Sequence, residues 1–107
     1  MKSGALQVQI TSDGSHTLYM PTLNEHYHSW HGAIQESRHV FIEQGLNQIP
    51  AKEVQLLEVG FGTGLNAYLT FRQAFEQKQL IHYHAMEYHP LSPDFAAKLN
   101  YPQQLGD

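Results

Sequence analysis

The sequence contains no cysteine and few cations, and each shortage excludes a class of site. Without cysteine the chain has no disulfides, thiolate metal ligands or thiol nucleophiles. Six lysines and arginines stand against ten aspartates and glutamates, which gives a formal net charge of −4. Free-standing nucleic-acid-binding proteins usually present a basic face. The scattered cations of this chain cannot form one, so we do not expect it to supply the main grip on an RNA.

The sequence also lacks a long apolar run. No stretch approaches the roughly 20 residues that a membrane-spanning helix requires, and residues 1–4 do not begin a signal peptide. We therefore expect a soluble, cytoplasmic protein with no membrane segment. Its 107 residues fit one domain, and the 41% of hydrophobic residues suffice for a core.

The most informative stretch is a glycine-rich turn. Residues 54–58 form an apolar run, and Gly60, Gly62 and Gly64 follow at alternate positions. This pattern predicts a buried strand, a tight turn and then a helix from Asn66 onward. Glycines let a backbone approach a ligand closely, and a helix start presents free N–H groups. The segment thus predicts a nucleotide-binding half-unit, and the alternative is a turn that binds nothing.

Acidic residues flank this half-unit. Glu58 ends the first strand, and Glu87 ends the next predicted strand, at residues 80–87. One intervening helix makes the two strands parallel neighbours, and a carboxylate at the position of Glu87 can accept hydrogen bonds from both ribose hydroxyls. An NAD-dependent oxidoreductase would fit Glu87 but not the G-x-G-x-G spacing. For Glu87 alone, a surface carboxylate is the alternative.

Other patterns predict the remaining elements. Residues 6–20 predict a hairpin around Asp13 and Gly14, residues 22–32 a loop, and Ser92 the cap of a short helix over 93–99. Two helices are predicted with buried faces. The face of the helix over 33–44, which Gly45 would end, comprises Ala33, Ser37, Val40, Phe41 and Gln44. That of the helix after the glycines comprises Leu65, Tyr68, Leu69, Arg72 and Phe75.

Histidines concentrate in two places. His26, His28 and His31 lie among aromatic residues in the predicted loop. A shared metal ion is one interpretation, but we favour a flap over the cofactor or substrate and expect no metal. His82 and His84 fall on one face of the second strand, where we expect hydrogen-bonded or partly exposed imidazoles.

Three segments together resemble a known family. Residues 36–42 (ESRHVFI), 57–66 (LEVGFGTGLN) and 86–91 (MEYHPL) are similar to the MnmC/MnmD family of S-adenosylmethionine-dependent methyltransferases in the tRNA 5-methylaminomethyl-2-thiouridine pathway. The resemblance implies an α/β fold, namely the N-terminal half of a Rossmann-like methyltransferase sheet preceded by a β-hairpin and a helix.

The family resemblance also implies a cofactor and a substrate. The cofactor is S-adenosyl-L-methionine, and the methyl acceptor is the amine of 5-aminomethyl-2-thiouridine at the tRNA wobble position. Some members carry a fused oxidase domain, of which this sequence has no trace. The catalytic residues stay unassigned. The expected cofactor-binding residues are Glu36, Glu58, Gly60, Phe61, Gly62, Thr63, Gly64, Asn66, Glu87 and Tyr88.

The length of the chain shapes the domain prediction. We expect a single partial methyltransferase domain: a hairpin at 1–21, a loop and helix at 22–50, and the first βαβ unit with the start of the next helix at 51–107. Such a half-sheet leaves strand edges open. We therefore expect self-association through residues 54–58 or 80–87, or pairing with a missing C-terminal half. The alternative function is an inactive cofactor-binding or self-associating module.

Overall fold

The computed structural model describes residues 6–107, so residues 1–5, including the start of the predicted hairpin segment, lie outside it. The described residues belong to two compact units. One contains residues up to Glu36 together with Ser92–Asp107, and the other is Ser37–Leu91. Over residues 6–107, no helix has the length and apolar character needed to cross a membrane.

The first unit is built on an antiparallel sheet. Strands β1 (Gln7–Ile10), β2 (His16–Met20) and β3 (Glu25–His26) lie in that order, and Gly14 adopts a φ of 85° in the turn. The predicted hairpin is confirmed. The prediction of a loop over 22–32 is wrong at β3, because a two-residue strand is too short to show alternation.

The hairpin turn caps the helix that follows. Thr11 Oγ1, Ser15 Oγ and Asp13 Oδ2 accept hydrogen bonds from the backbone N–H groups of residues 33, 34 and 35, at 2.9 to 3.1 Å. These N–H groups open α1 (Ala33–Ser37) and have no partner inside the helix. The turn therefore fixes the position of the helix start.

The predicted helix over 33–44 is only partly correct. After α1 the chain widens into a π-helical segment, Arg38–Glu43, and a short 3₁₀ turn, Leu46–Gln48, follows. The π-helical hydrogen bonds span five residues, so the buried face rotates. Ala33 and Ser37 are buried as predicted, whereas Val40 is 61% exposed and Ile42 is buried instead.

Two short helices complete the first unit. Ser92 Oγ accepts a hydrogen bond from Phe95 N–H at 3.2 Å, which confirms the predicted cap of α3 (Pro93–Ala96). The predicted extension of this helix to residue 99 is wrong. A further helix, α4 (Tyr101–Gln104), was not predicted; it can form because a proline in the first helical turn is compatible with a helix start.

The second unit contains the predicted βαβ arrangement. Strands β4 (Glu53–Val59) and β5 (Leu80–Met86) pair in parallel, and α2 (Leu65–Gln77) connects them. This confirms the predicted parallel neighbours and the intervening helix. On α2, Leu65 and Leu69 are buried as predicted, but Phe75 is 80% exposed. The prediction of a buried first strand is wrong at Leu57 and Val59, which are 63% and 76% exposed, because one helix can cover only one face of a two-stranded sheet.

Candidate functional site

The three glycines of the turn all adopt left-handed backbone conformations. Their φ angles are 86° at Gly60, 58° at Gly62 and 82° at Gly64, a region that other residues adopt only with strain. A Cβ atom at Gly60 would meet no atom within 4 Å, whereas one at Gly64 would lie 3.0 Å from the Phe61 ring. Gly64 therefore accommodates the Phe61 side chain, and the open space beside Gly60 can admit a ligand.

The helix that follows the turn begins without a side-chain cap. Gly64 precedes α2 and, being a glycine, supplies no side chain to cap the first turn of this helix. N–H groups at a helix start carry partial positive charge and favour polar or anionic ligand groups. Thr63, just before the helix, is buried. The turn thus combines backbone donors with room for a ligand.

Glu58 places a buried carboxylate near the end of β4, next to the turn. Glu58 is 7% exposed, and its two oxygens accept hydrogen bonds from Asn66 Nδ2 at 2.9 Å and from the Tyr83 hydroxyl at 2.5 Å. Burial, together with the hydrogen bond to Glu58 and its charge, raises the pKa of Tyr83 well above its ordinary value. Glu58 therefore ties β4 to both α2 and β5.

Tyr83 is the residue of this cluster that was absent from the sequence predictions. In the parallel register Glu58 lies opposite Ala85, and side chains two residues apart on a strand point to the same face. Tyr83 therefore lies on the face of Glu58. Aligning the predicted strands at their ends, Glu58 with Glu87, puts Tyr83 on the correct face but two residues out of register.

Glu87, which follows β5, is hydrogen-bonded to the backbone of the glycine turn. Its Oε1 accepts a hydrogen bond from Gly62 N–H at 2.7 Å, and its Oε2 accepts one from His89 N–H at 3.0 Å. These backbone donors, Gly62 first, lower the pKa of Glu87. A carboxylate offers about four lone-pair positions, so both oxygens keep acceptor capacity for a ligand.

An open depression lies between the turn and Glu87. It measures about 430 Å³ and is lined by Val59, Gly60, Met86, Glu87 and Tyr88. Its volume falls within the range of small-molecule sites, roughly 300–1,000 Å³. Tyr88 is 90% exposed and its ring makes an edge contact with His89 at 4.5 Å. The structure thus gathers nine of the ten candidate residues within one βαβ unit.

The tenth candidate, Glu36, belongs to the other unit. Its Oε1 accepts a hydrogen bond from Ser29 N–H at 2.8 Å and lies 3.8 Å from His28 Nδ1. Burial lowers the pKa of His28, and the Glu36 carboxylate partly opposes that shift. The Glu36 carboxylate therefore contacts the preceding loop.

The histidines make local contacts. His82 Nε2 lies 2.8 Å from Glu53 Oε2, which confirms the predicted hydrogen bonding, and His84 is exposed. The His26 ring contacts the rings of Tyr19 and Trp30. Over residues 6–107, no three histidine or acidic side chains are arranged to hold a metal ion. The flap formed by residues 22–32 stays a prediction.

Comparisons with known proteins address the family. No family model matches the sequence. The chain is 31% identical over 106 residues to the tRNA 5-methylaminomethyl-2-thiouridine biosynthesis bifunctional protein MnmC of Cupriavidus metallidurans, covering 92% of this chain. It is 36% identical over 84 residues, 71% of this chain, to the protein of the same name from Burkholderia multivorans.

A solved structure agrees with these sequence matches. The crystal structure of MnmC2 from Aquifex aeolicus superposes with a TM-score of 0.74 and 31% identity over 85% of this chain. The chain is MnmC-like. It spans 15% and 12% of the two MnmC relatives and 32% of the MnmC2 chain. The MnmC2 match confirms the predicted α/β, Rossmann-like fold class.

Proposed function

We propose that this MnmC-like chain serves a methyltransferase by forming part of its S-adenosyl-L-methionine site. The observation that carries the proposal is the left-handed turn, open beside Gly60 and bridged to the next strand by the hydrogen bond from Gly62 to Glu87. The MnmC relatives and the MnmC2 likeness support a methyltransferase-related function and do not favour an inactive module.

Each group near the turn has a distinct proposed role. Glu87 accepts hydrogen bonds from the ribose hydroxyls through its remaining lone pairs. The backbone of Gly60 and Gly62 lies against the methionine end of the cofactor, where a side chain would obstruct it. Glu58 is a positioning residue, because it is 7% exposed and its two oxygens hold Asn66 and Tyr83 in place. Tyr88 lines the cofactor depression.

The proposed reaction is methyl transfer to an amine of tRNA. The cofactor supplies an electrophilic methyl group on a sulfonium, the amine nitrogen forms the new C–N bond as the C–S bond breaks, and one proton leaves the nitrogen. Catalysis of such a step depends on positioning an unprotonated amine. The relatives are named for tRNA 5-methylaminomethyl-2-thiouridine biosynthesis, so we propose the amine of 5-aminomethyl-2-thiouridine as acceptor.

The extent of the match limits what is assigned to this chain. Because it spans 32% of MnmC2, we assign it cofactor contacts and leave the group that accepts the amine proton unassigned. A tRNA acceptor also implies a cytoplasmic location. The bifunctional activity in the relatives' names belongs to those proteins.

Calorimetric titration with S-adenosylhomocysteine tests the proposal. The wild-type chain should bind, and Glu87→Ala should weaken binding at least about tenfold, because each hydrogen bond to a charged group contributes about 1.5–3 kcal/mol. Glu76→Ala removes an exposed carboxylate from α2 in the same unit and should leave binding unchanged. A folded wild-type chain that does not bind, or equal binding by the two variants, would contradict the proposal.

A further inference from the structure

Three aromatic rings contact one another at tilted angles, 39° and 51° between ring planes, on the surface of the first unit. The His26 ring contacts the rings of both Tyr19 and Trp30, with centroid distances of 4.8 and 5.3 Å respectively. We call these three residues the aromatic cluster. Trp30 is 48% exposed and His26 is also exposed. Large rings that remain accessible rather than filling a core present π-faces to a ligand.

Two amide side chains frame the aromatic cluster. Asn24 Oδ1 accepts a hydrogen bond from the Tyr19 hydroxyl at 2.8 Å, and Gln9 Oε1 pairs with His26 Nε2 at 3.0 Å. Both contacts use the amide oxygens, so the amide nitrogens can donate to a ligand. Together these five residues line a depression of about 420 Å³. The site therefore offers stacking surfaces with N–H donors at their edge.

The charge around the cluster argues against recognition of phosphate. Lys98 is the one lysine or arginine among the described residues of this unit, and its Nζ lies over the Phe95 ring at 5.6 Å. Glu25 places a carboxylate in β3, next to His26. A polyanionic backbone would gain little here, since phosphate binding depends on neutralising cations.

We propose that the aromatic cluster stacks an unpaired base of an RNA, with the amide nitrogens of Gln9 and Asn24 donating to carbonyl or ring-nitrogen acceptors on the base edge. Stacking on aromatic side chains is how proteins hold unpaired bases. A purely apolar peptide segment would match the rings but leave the amide donors unused. The proposal rests on the proposed function in one respect, namely that the enzyme's substrate is a tRNA.

Fluorescence provides a direct test, because Trp30 is the sole tryptophan of the chain. The intact chain is titrated with a uridine hexamer and, separately, with a ribose-phosphate oligomer of equal length that lacks bases. Saturable quenching by the uridine hexamer and none by the abasic oligomer is the expected result. Equal quenching by both oligomers would overturn the proposal, because the backbone would then be the ligand.

Variants show which residues bind the RNA. Binding of a fluorescein-labelled uridine hexamer to each variant is measured by fluorescence anisotropy. Trp30→Ala and His26→Ala should each weaken binding about fivefold or more, the loss of a base–aromatic stack, and Trp30→Phe should retain most of it. The Trp30 carbonyl, rather than its indole, pairs with Ser12, so these substitutions keep that contact. Phe75→Ala, an exposed aromatic on α2, is the matched control. Unchanged binding by Trp30→Ala would overturn the proposal.

Salt and cofactor measurements complete the test. Raising salt from about 50 to 200 mM should weaken binding less than about threefold, the change expected for one neutralised phosphate, and a change of tens of fold would overturn the proposal. Trp30→Ala should bind S-adenosylhomocysteine like wild type. If RNA binding depends on Trp30 but the cofactor does not bind, the proposed function fails and the base site stands. If the cofactor binds but RNA binding does not depend on Trp30, the base site is refuted and the proposed function stands.

Discussion

Replacing Tyr83 by phenylalanine isolates the hydrogen bond that supports the glycine turn. The ring and its packing stay in place, and only the hydroxyl that donates to Glu58 Oε1 is removed. Glu58, which is 7% exposed, then keeps Asn66 Nδ2 as its one remaining donor among the described residues. The perturbation therefore affects a charged, buried acceptor without opening a large cavity.

The expected loss follows from the environment of the bond. Hydrogen bonds to charged groups contribute about 1.5–3 kcal/mol. Tyr83 is half-buried, so water can partly replace its hydroxyl, and we expect Tyr83→Phe to lower the free energy of unfolding by about 1–2 kcal/mol. Urea denaturation followed by far-ultraviolet circular dichroism measures this change.

A matched control and a pH measurement sharpen the test. Tyr88→Phe removes a hydroxyl from a residue that is 90% exposed and should change stability by less than about 0.5 kcal/mol. Because folding raises the pKa of Tyr83 above the reference of 10.0, its stabilisation is complete below pH 10 and is lost as the pH rises further. Tyr83→Phe should lack this alkaline loss. A Tyr83→Phe variant as stable as Tyr88→Phe would refute the reasoning.

Three further predictions concern the turn, the acid response and assembly. Gly64→Ala should lower the free energy of unfolding by about 1–2 kcal/mol in urea denaturation, since its Cβ would meet the Phe61 ring at 3.0 Å; a neutral effect would contradict the turn geometry. Folding lowers the pKa of the Glu87 carboxyl, so the stability that it contributes is present above the reference pKa of 4.5 and is lost as the pH falls further. Glu87→Gln should therefore reduce the loss of stability on acidification below pH 4.5, and an acid-denaturation curve identical to that of the wild type would contradict this. We also propose self-association through the outer edges of β4 and β5, which a stable monomer at high concentration in sedimentation would exclude.

The βαβ unit could be predicted from the sequence because its signals are local. Alternate glycines require positive φ angles, and Gly60, Gly62 and Gly64 all have them. The apolar run before them and the helical spacing after them fix β4 and α2 within a residue or two. An acidic residue at the end of the next strand likewise placed Glu87 beside the turn.

The features that escaped prediction depend on contacts across the chain or on subtle backbone changes. The π-helical segment Arg38–Glu43 has no distinct sequence period, so the exposure of Val40 could not be foreseen. The pairing of Glu58 with Tyr83 depends on the register of two strands. The capping of α1 by Asp13 joins residues that are distant in sequence.

The central claim is that the glycine turn contacts the cofactor, and amide spectra of the chain labelled with ¹⁵N-glycine test it most directly. Adding S-adenosylhomocysteine should shift the amide signals of Gly60, Gly62 and Gly64. The signals of Gly14, in the hairpin turn, and Gly106, beyond α4, should stay in place. Unchanged signals from all three turn glycines at saturating ligand would contradict the account.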